Sequence, residues 1–275
     1  MSSQPQPYSH TGKTGSALRR FAVSHDVRWL VFYGVILGCW LAIFSMSQQL
    51  PGGGIAALSD PGFWASICLT PTDANPLSLF GMWALMSAAM MMPTLVPALG
   101  VYDQLGDCGA GNRRGFAALV SGYVGIWLVF AVAGSSAQYY LTQQNLIAPD
   151  GSSQSLWLTG GLLVFAGAYQ FSSLKDACLT RCQQPLTFFM QYWRPGTVSA
   201  FNMGARLGAL CLGCCWALMA LGFVGGTMNL VWMGVATVFM TIEKLPDIGR
   251  YVSRPTGVLL LVAGALVFGR AIEII

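Results

Sequence analysis

Residues 206–226 read RLGALCLGCCWALMALGFVGG. After Arg206 the run carries no charge, and it is long enough to cross a bilayer, which takes about 20 apolar residues. Yet where spanning helices usually carry Leu and Val, it places Cys211, Cys214, Cys215 and Met219 within nine positions. At about 100° per residue, Cys211, Cys215, Leu218 and Gly222 share one stripe, with Cys214 beside it and Gly204 and Gly208 continuing it. Two readings follow. The stripe is a packing face that uses Cys as a small hydrophobe, or it is a soft-metal or thiol site inside a membrane.

The rest of the chain fixes the class. Of 275 residues, 55% are hydrophobic and only 9% charged, against about 25% charged in soluble domains; mean hydropathy is +0.59. Seven apolar segments stand out, at about 29–47, 79–101, 116–139, 156–174, 207–225, 229–243 and 256–272. The fold class expected is all-α, a polytopic transmembrane helical bundle of about seven spans (residues 29–275), preceded by a polar, disordered cytoplasmic tail over 1–28. Gly225-Gly226-Thr227 leaves almost no loop, so the fifth and sixth segments are expected to form a tight antiparallel hairpin.

Basic residues give the orientation. Lys13, Arg19, Arg20, Arg28, Arg113, Arg114, Lys175, Arg181, Arg194, Arg206, Lys244, Arg250 and Arg254 all fall on one side of the seven-span scheme; Arg270 is the exception among the 14. Loops 48–78, 140–155 and 226–228 hold no Lys or Arg. The positive-inside rule then predicts an N-in, C-out topology. The net charge of +4 is accounted for by these helix ends, and no basic run with interleaved aromatics points to nucleic acid. The outer loop 48–78 holds an isolated Cys68 and a short amphipathic piece around Phe63–Ile67.

Three further groups carry possible chemistry. Met82, Met86 and Met90 recur at i, i+4 and i+8 within GMWALMSAAMMMP, ending at Pro93, which frees a backbone carbonyl. Thioethers are soft ligands suited to Cu(I), although Met also fills gaps in membrane helices. Cys178 and Cys182, in CLTRC, share a face if helical, and Lys175 and Arg181 nearby would favour the thiolate. Glu243-Lys244 closes the sixth segment, either as an interfacial ion pair or as a carboxylate at the inner mouth of a pathway. The only histidines, His10 and His25, lie in the N-terminal tail, so an intramembrane metal site must use sulfur and oxygen. That argues against zinc enzymes, di-iron oxidases and His-ligated haem, and no Walker, Ser-His-Asp or HExxH pattern marks an enzyme. If the second and fifth segments touch, methionines near the outside lead to Cys214 and Cys215 near the middle and to Cys178 and Cys182 at the cytoplasmic surface.

These motifs carry a resemblance. WALMSAAMMMP, YQFSSLKDACLTRCQQPLTFF, GARLGALCLGCCWALM, MNLVWM and EKLP, together covering about 75–260, resemble a bacterial family of predicted metal-binding integral membrane proteins. The resemblance implies a multi-pass protein of the bacterial inner (cytoplasmic) membrane with metal binding and no assigned reaction. The family pattern has Arg after the second loop cysteine, where this chain has Gln183.

The function expected is soft-metal handling, foremost Cu(I), by transport or delivery to a membrane cuproenzyme, with the lipid bilayer and a copper chaperone or cuproenzyme as partners. Cys211, Cys214 and Cys215 are the central ligands, Met219, Met82, Met86 and Met90 the outer ones, and Cys178 and Cys182 an exchange pair. The alternatives are a membrane thiol-disulfide oxidoreductase and an assembly subunit whose cysteines only pack.

Overall fold

The computed structural model describes residues 27–48, 75–105, 113–148, 151–227, 229–246 and 248–273. The tail to residue 26, the Phe63–Ile67 piece and Cys68 lie outside the described residues. Within them the chain forms ten helices: α1 Val27–Gln48, α2 Pro76–Leu105, α3 Arg113–Gln143, α4 Leu156–Tyr169, α5 Ser173–Gln183, α6 Pro185–Tyr192, α7 Thr197–Ala220, α8 Gly222–Gly225, α9 Leu230–Glu243 and α10 Gly249–Glu273.

Five stretches are long and apolar enough to cross a membrane: 27–46, 76–105, 114–143, 197–225 and 251–273. The fourth and sixth expected segments are shorter, because α4 and α9 have 14 residues each. At 1.5 Å per residue each rises about 21 Å, less than the roughly 30 Å of hydrocarbon. Polar caps set these lengths. Ser155 opens α4 by accepting from the Leu158 amide, and Ser172 opens α5 by accepting from the Lys175 amide, so the helix expected to run to 174 stops at Tyr169. Asn229 caps α9 through the Trp232 amide. The fifth segment differs the other way: α7 begins ten residues early, at Thr197.

At the centre, α3 and α7 run side by side in parallel. A Cβ on Gly204 would come within 1.9 Å of the Leu119 carbonyl oxygen, and one on Gly122 within 2.1 Å of the Phe201 carbonyl oxygen. Only glycine permits so close an approach, and small residues are how helices pack where water supplies no driving force. On the other flank α4 lies antiparallel to α10, Gly167 meeting Leu261 and Gly160 meeting Phe268. Helix α2 packs on α3 through Trp83, whose indole donates to buried Gln138 at 2.7 Å. Helix α1 covers α2 antiparallel, with Arg28 3.1 Å from Asp103 at one end and the Trp40 indole on the Ala89 carbonyl at 3.1 Å further along. Pro93, four residues after Ala89, has no N–H for that carbonyl, and Trp40 takes the vacancy. Outward faces of α1 and α10 stay apolar and exposed, as at Leu37, Leu41, Leu259 and Leu266.

The bundle has two distinct ends. At one, the α3–α4 loop meets the turn before α9: the Ser153 amide donates to the Phe223 carbonyl at 2.7 Å and the Trp232 indole to the Leu221 carbonyl at 3.1 Å. Gly226, at φ +88°, turns the chain there. At the other, the α4–α5 junction, the end of α9 and the start of α10 converge on Gln170, Lys175, Glu243 and Ser253.

Candidate metal centre

Helix α7 turns Cys211, Cys214 and Cys215 inward at i, i+3 and i+4, which lie on one helical face. All three are buried, and their sulfurs lie within 4.8 Å of one another. Two thiolates on one ion, at metal–sulfur bonds of about 2.3 Å, sit at most about 4.6 Å apart. Three around one ion sit about 4.0 Å apart, so a shift of under about 1 Å lets one ion touch all three. Cys214 already lies 3.3 Å from Cys215, and its thiol donates to the Cys211 carbonyl at 3.1 Å.

Three helices supply the surroundings of Cys211. From α3, the Tyr123 phenol sits 2.9 Å from the Cys211 sulfur and donates to the Met91 carbonyl at 3.0 Å. From α2, the Thr94 hydroxyl also donates to Met91, at 2.8 Å, which leaves its lone pairs free. Lys244, the residue after α9, fills that opening: its ammonium donates to Thr94 at 2.7 Å and to Cys211 at 2.8 Å. A cation in contact with a sulfur supplies the countercharge that a metal-binding thiolate needs away from water.

The packing reading of the stripe holds for part of it. Gly204 and Gly208 seat α7 against α3. One turn further on, the stripe carries the buried sulfurs of Cys211 and Cys215, which are packed in the core as well.

Met82, Met86 and Met90 are buried in α2, and Met219 is buried in α7. The groups of α2 that reach Cys211 are Thr94 directly and the Met91 carbonyl through Tyr123. The carbonyl freed by Pro93 serves Trp40 rather than a metal.

The Cys178–Cys182 pair corrects the expected layering of sulfur by depth. Cys178 and Cys182 lie on α5, which packs directly on α7. Cys178 rests on Gly213, where a Cβ would come within 2.6 Å of its sulfur, and Cys182, one turn on along the same face of α5, neighbours Cys214. The pair is thus docked on the cluster instead of lying a separate layer below it. Activation by neighbouring cations is also corrected. Burial pushes the Cys178 thiol above its ordinary value, and Arg181 only partly opposes this. Lys175 points elsewhere, donating to Glu243 at 2.6 Å and to Gln170.

Glu243 and Lys244 are not each other's partners. Glu243, fully buried, pairs with Lys175 and accepts from Ser253, while Lys244 serves Cys211. Sequence reasoning overlooked Tyr123, Thr94 and the role of Lys244. A lone Tyr in an apolar helix, a Thr between Pro93 and Pro97, and a Lys at a helix end were the available signals.

No curated protein and no solved structure matches the chain. A family model described as a copper chaperone matches residues 80–267, from the methionine stripe of α2 into α10 and with Cys178, Cys182, Cys211, Cys214 and Cys215 inside it. That span covers well over half of the 275 residues, and the chain belongs to the copper chaperone family PpoB2.

Proposed function

We propose that this protein is a multi-pass protein of the bacterial inner membrane that binds Cu(I) on Cys211, Cys214 and Cys215 and delivers it to a copper-dependent membrane enzyme. The observation that carries the reading is the buried three-sulfur cluster with Lys244 against it, in a chain of a copper chaperone family. Sulfur is the donor a soft monovalent ion prefers. Three thiolates bring three negative charges; Cu(I) offsets one and Lys244 a second. That arithmetic suits a monovalent ion held in partial balance and released again.

An N-in, C-out course of seven spans fits the two ends of the bundle. Among the described residues, the α3–α4 loop and the turn before α9, which hold no Lys or Arg, meet at one end, and Lys175 and Lys244 lie at the other. The parallel α3 and α7 and the antiparallel α4 and α10 are what alternate crossings produce. Helices α4 and α9 then cross as short helices flanked by longer ones, a mismatch that local thinning of the bilayer accommodates.

The test is elemental analysis of the purified protein under reductant, beside a Cys211→Ser, Cys214→Ser, Cys215→Ser variant. The wild type retains copper and the variant loses it. Equal copper in both, or none in either, overturns the assignment.

A further inference from the structure

Helix α5 is eleven residues long, and both of its ends are tied to one residue of another helix. Near its start, the Lys175 ammonium donates to Glu243 Oε1 at 2.6 Å; at its end, the Gln183 amide donates to the Glu243 carbonyl at 3.0 Å and to the Leu245 carbonyl at 3.4 Å. Lys175 and Glu243 are buried to 1% and 0% exposure. A buried ion pair is poor value as a stabiliser, because desolvation offsets most of the attraction, and its best-attested use is to fix register. Here Ser253 and Gln170 complete the partners of the pair, and Glu243 Oε2 is left without any. The helix so held also lies on α7, with Cys178 on Gly213 and Cys182 beside Cys214. Cys182 is half-buried, whereas the three cluster sulfurs are sealed. Cys178 is half-buried too, but it rests on the backbone of Gly213, whereas Cys182 faces the Cys214 sulfur.

We propose that Cys182 is the transfer ligand, onto which the cargo ion passes from the three-cysteine cluster by way of a Cys214–Cys182 pair, and that Glu243 positions it through Lys175 and Gln183. This rests on the reading that the cluster holds Cu(I). In the exchange, a metal–sulfur bond forms at Cys182 and one breaks at Cys215; the Cys211 bond breaks next, leaving its thiolate against the Lys244 ammonium. The proton that Cys182 gives up is taken by the departing Cys215 thiolate. The ion stays Cu(I), so neither oxidant nor reductant takes part. A soft donor on the receiving protein then needs to reach only Cys182.

The test uses the full chain in detergent, loaded with Cu(I) and then given the water-soluble chelator bathocuproine disulfonate. Cys182→Ser keeps its copper before chelator is added and releases it about tenfold more slowly, a barrier about 1.4 kcal/mol higher. Glu243→Gln slows release similarly, and the double variant is no slower than Cys182→Ser, since both act on one step. Where Glu243→Gln does not fold, Gln183→Leu removes only the amide tie and gives the same pattern. In metal-free protein, diamide accepts the two thiol hydrogens and joins Cys182 to Cys214, a disulfide read by peptide mass spectrometry. Wild-type release rates in loaded Cys182→Ser, additive slowing in the double variant, or no 182–214 disulfide overturns this proposal alone. A wild type that never retains Cu(I) overturns it together with the reading beneath it.

Discussion

The ammonium of Lys244 lies 2.8 Å from the sulfur of Cys211, although the two are 33 residues apart and come from different helices. Thr94 holds the same ammonium from a third helix at 2.7 Å. This contact makes the cluster more than three cysteines on one helix face, because it brings a fixed positive charge to a site otherwise lined by thiols, a phenol and a hydroxyl. Lys244→Gln keeps a donor of similar reach but removes the charge. Outer partners of metal ligands are typically worth about 10- to 100-fold in affinity, and a weakening in that range is expected in chelator competition. Lys244→Arg restores the charge and recovers part of the loss.

Cys214→Ser and Cys215→Ser are expected to lower copper content far more than Cys39→Ser. Cys39 is half-buried in α1, away from the cluster. A hydroxyl matches a thiol closely in size but is a poor ligand for a soft ion, so packing survives while binding falls. Copper analysis of the three variants at matched protein levels checks this, and equal effects would mean that the cysteines serve packing alone.

Met86→Leu keeps apolarity and nearly keeps volume, a swap that typically costs under about 1.5 kcal/mol in a core. Met86 is 3% exposed, so any effect comes from the loss of sulfur inside the bundle. The expected outcome is slower copper uptake at limiting copper with equilibrium occupancy of the cysteines retained. Wild-type uptake kinetics would identify the α2 methionines as filler.

Gly204→Ala forces a methyl group toward the Leu119 carbonyl oxygen, 1.9 Å from the ideal Cβ position. Backbone cannot yield as a flexible side chain can, so α3 and α7 must part. Overpacking typically costs about 1–3 kcal/mol, and thermal unfolding in detergent should show a loss of at least that order. Tyr123, on the same face of α3, moves away from Cys211, so copper retention falls as well. Gly161→Ala, where an added Cβ meets nothing within 4 Å, serves as the control.

Labelling of Cys178 tests its protonation and its side of the membrane together. Burial raises its thiol above the ordinary value, so less of the reactive thiolate exists at neutral pH than for a solvated cysteine. With Cys178 as the only cysteine retained, alkylation is expected to be slow at neutral pH and to rise until the pH passes the raised value. In intact cells a maleimide that cannot cross membranes should leave this variant unlabelled and label one that retains Cys68 alone. Labelling of Cys178 from outside would reverse the proposed orientation.

Several features were legible in the sequence for direct physical reasons. A run such as 206–226 has no soluble fate for its apolar surface, and a helical period of 3.6 residues puts Cys211 and Cys215 on one side whatever surrounds them. The small residues Gly204 and Gly208 announced a close neighbour, and α3 is that neighbour. The i, i+4 spacing of Cys178 and Cys182 likewise fixed a shared face once Ser172 capped a helix there. Periodicity, however, describes one helix at a time. Which helix faces which is decided by side-chain fit over distances that no local pattern encodes. That is why Lys244 and Tyr123 at Cys211, the ion pair between Lys175 and Glu243, and the docking of Cys182 on Cys214 came only from the tertiary structure. Lengths of the short helices escaped for a related reason: Phe171 and Leu174 carry the apolar pattern on past Tyr169, whereas the Ser172 hydroxyl caps a new helix there. The sequence by itself determined that sulfur would lie in an apolar helix. The packing of α3, α5 and α9 around α7 decided that this sulfur sits beside a half-buried ammonium and within reach of the surface.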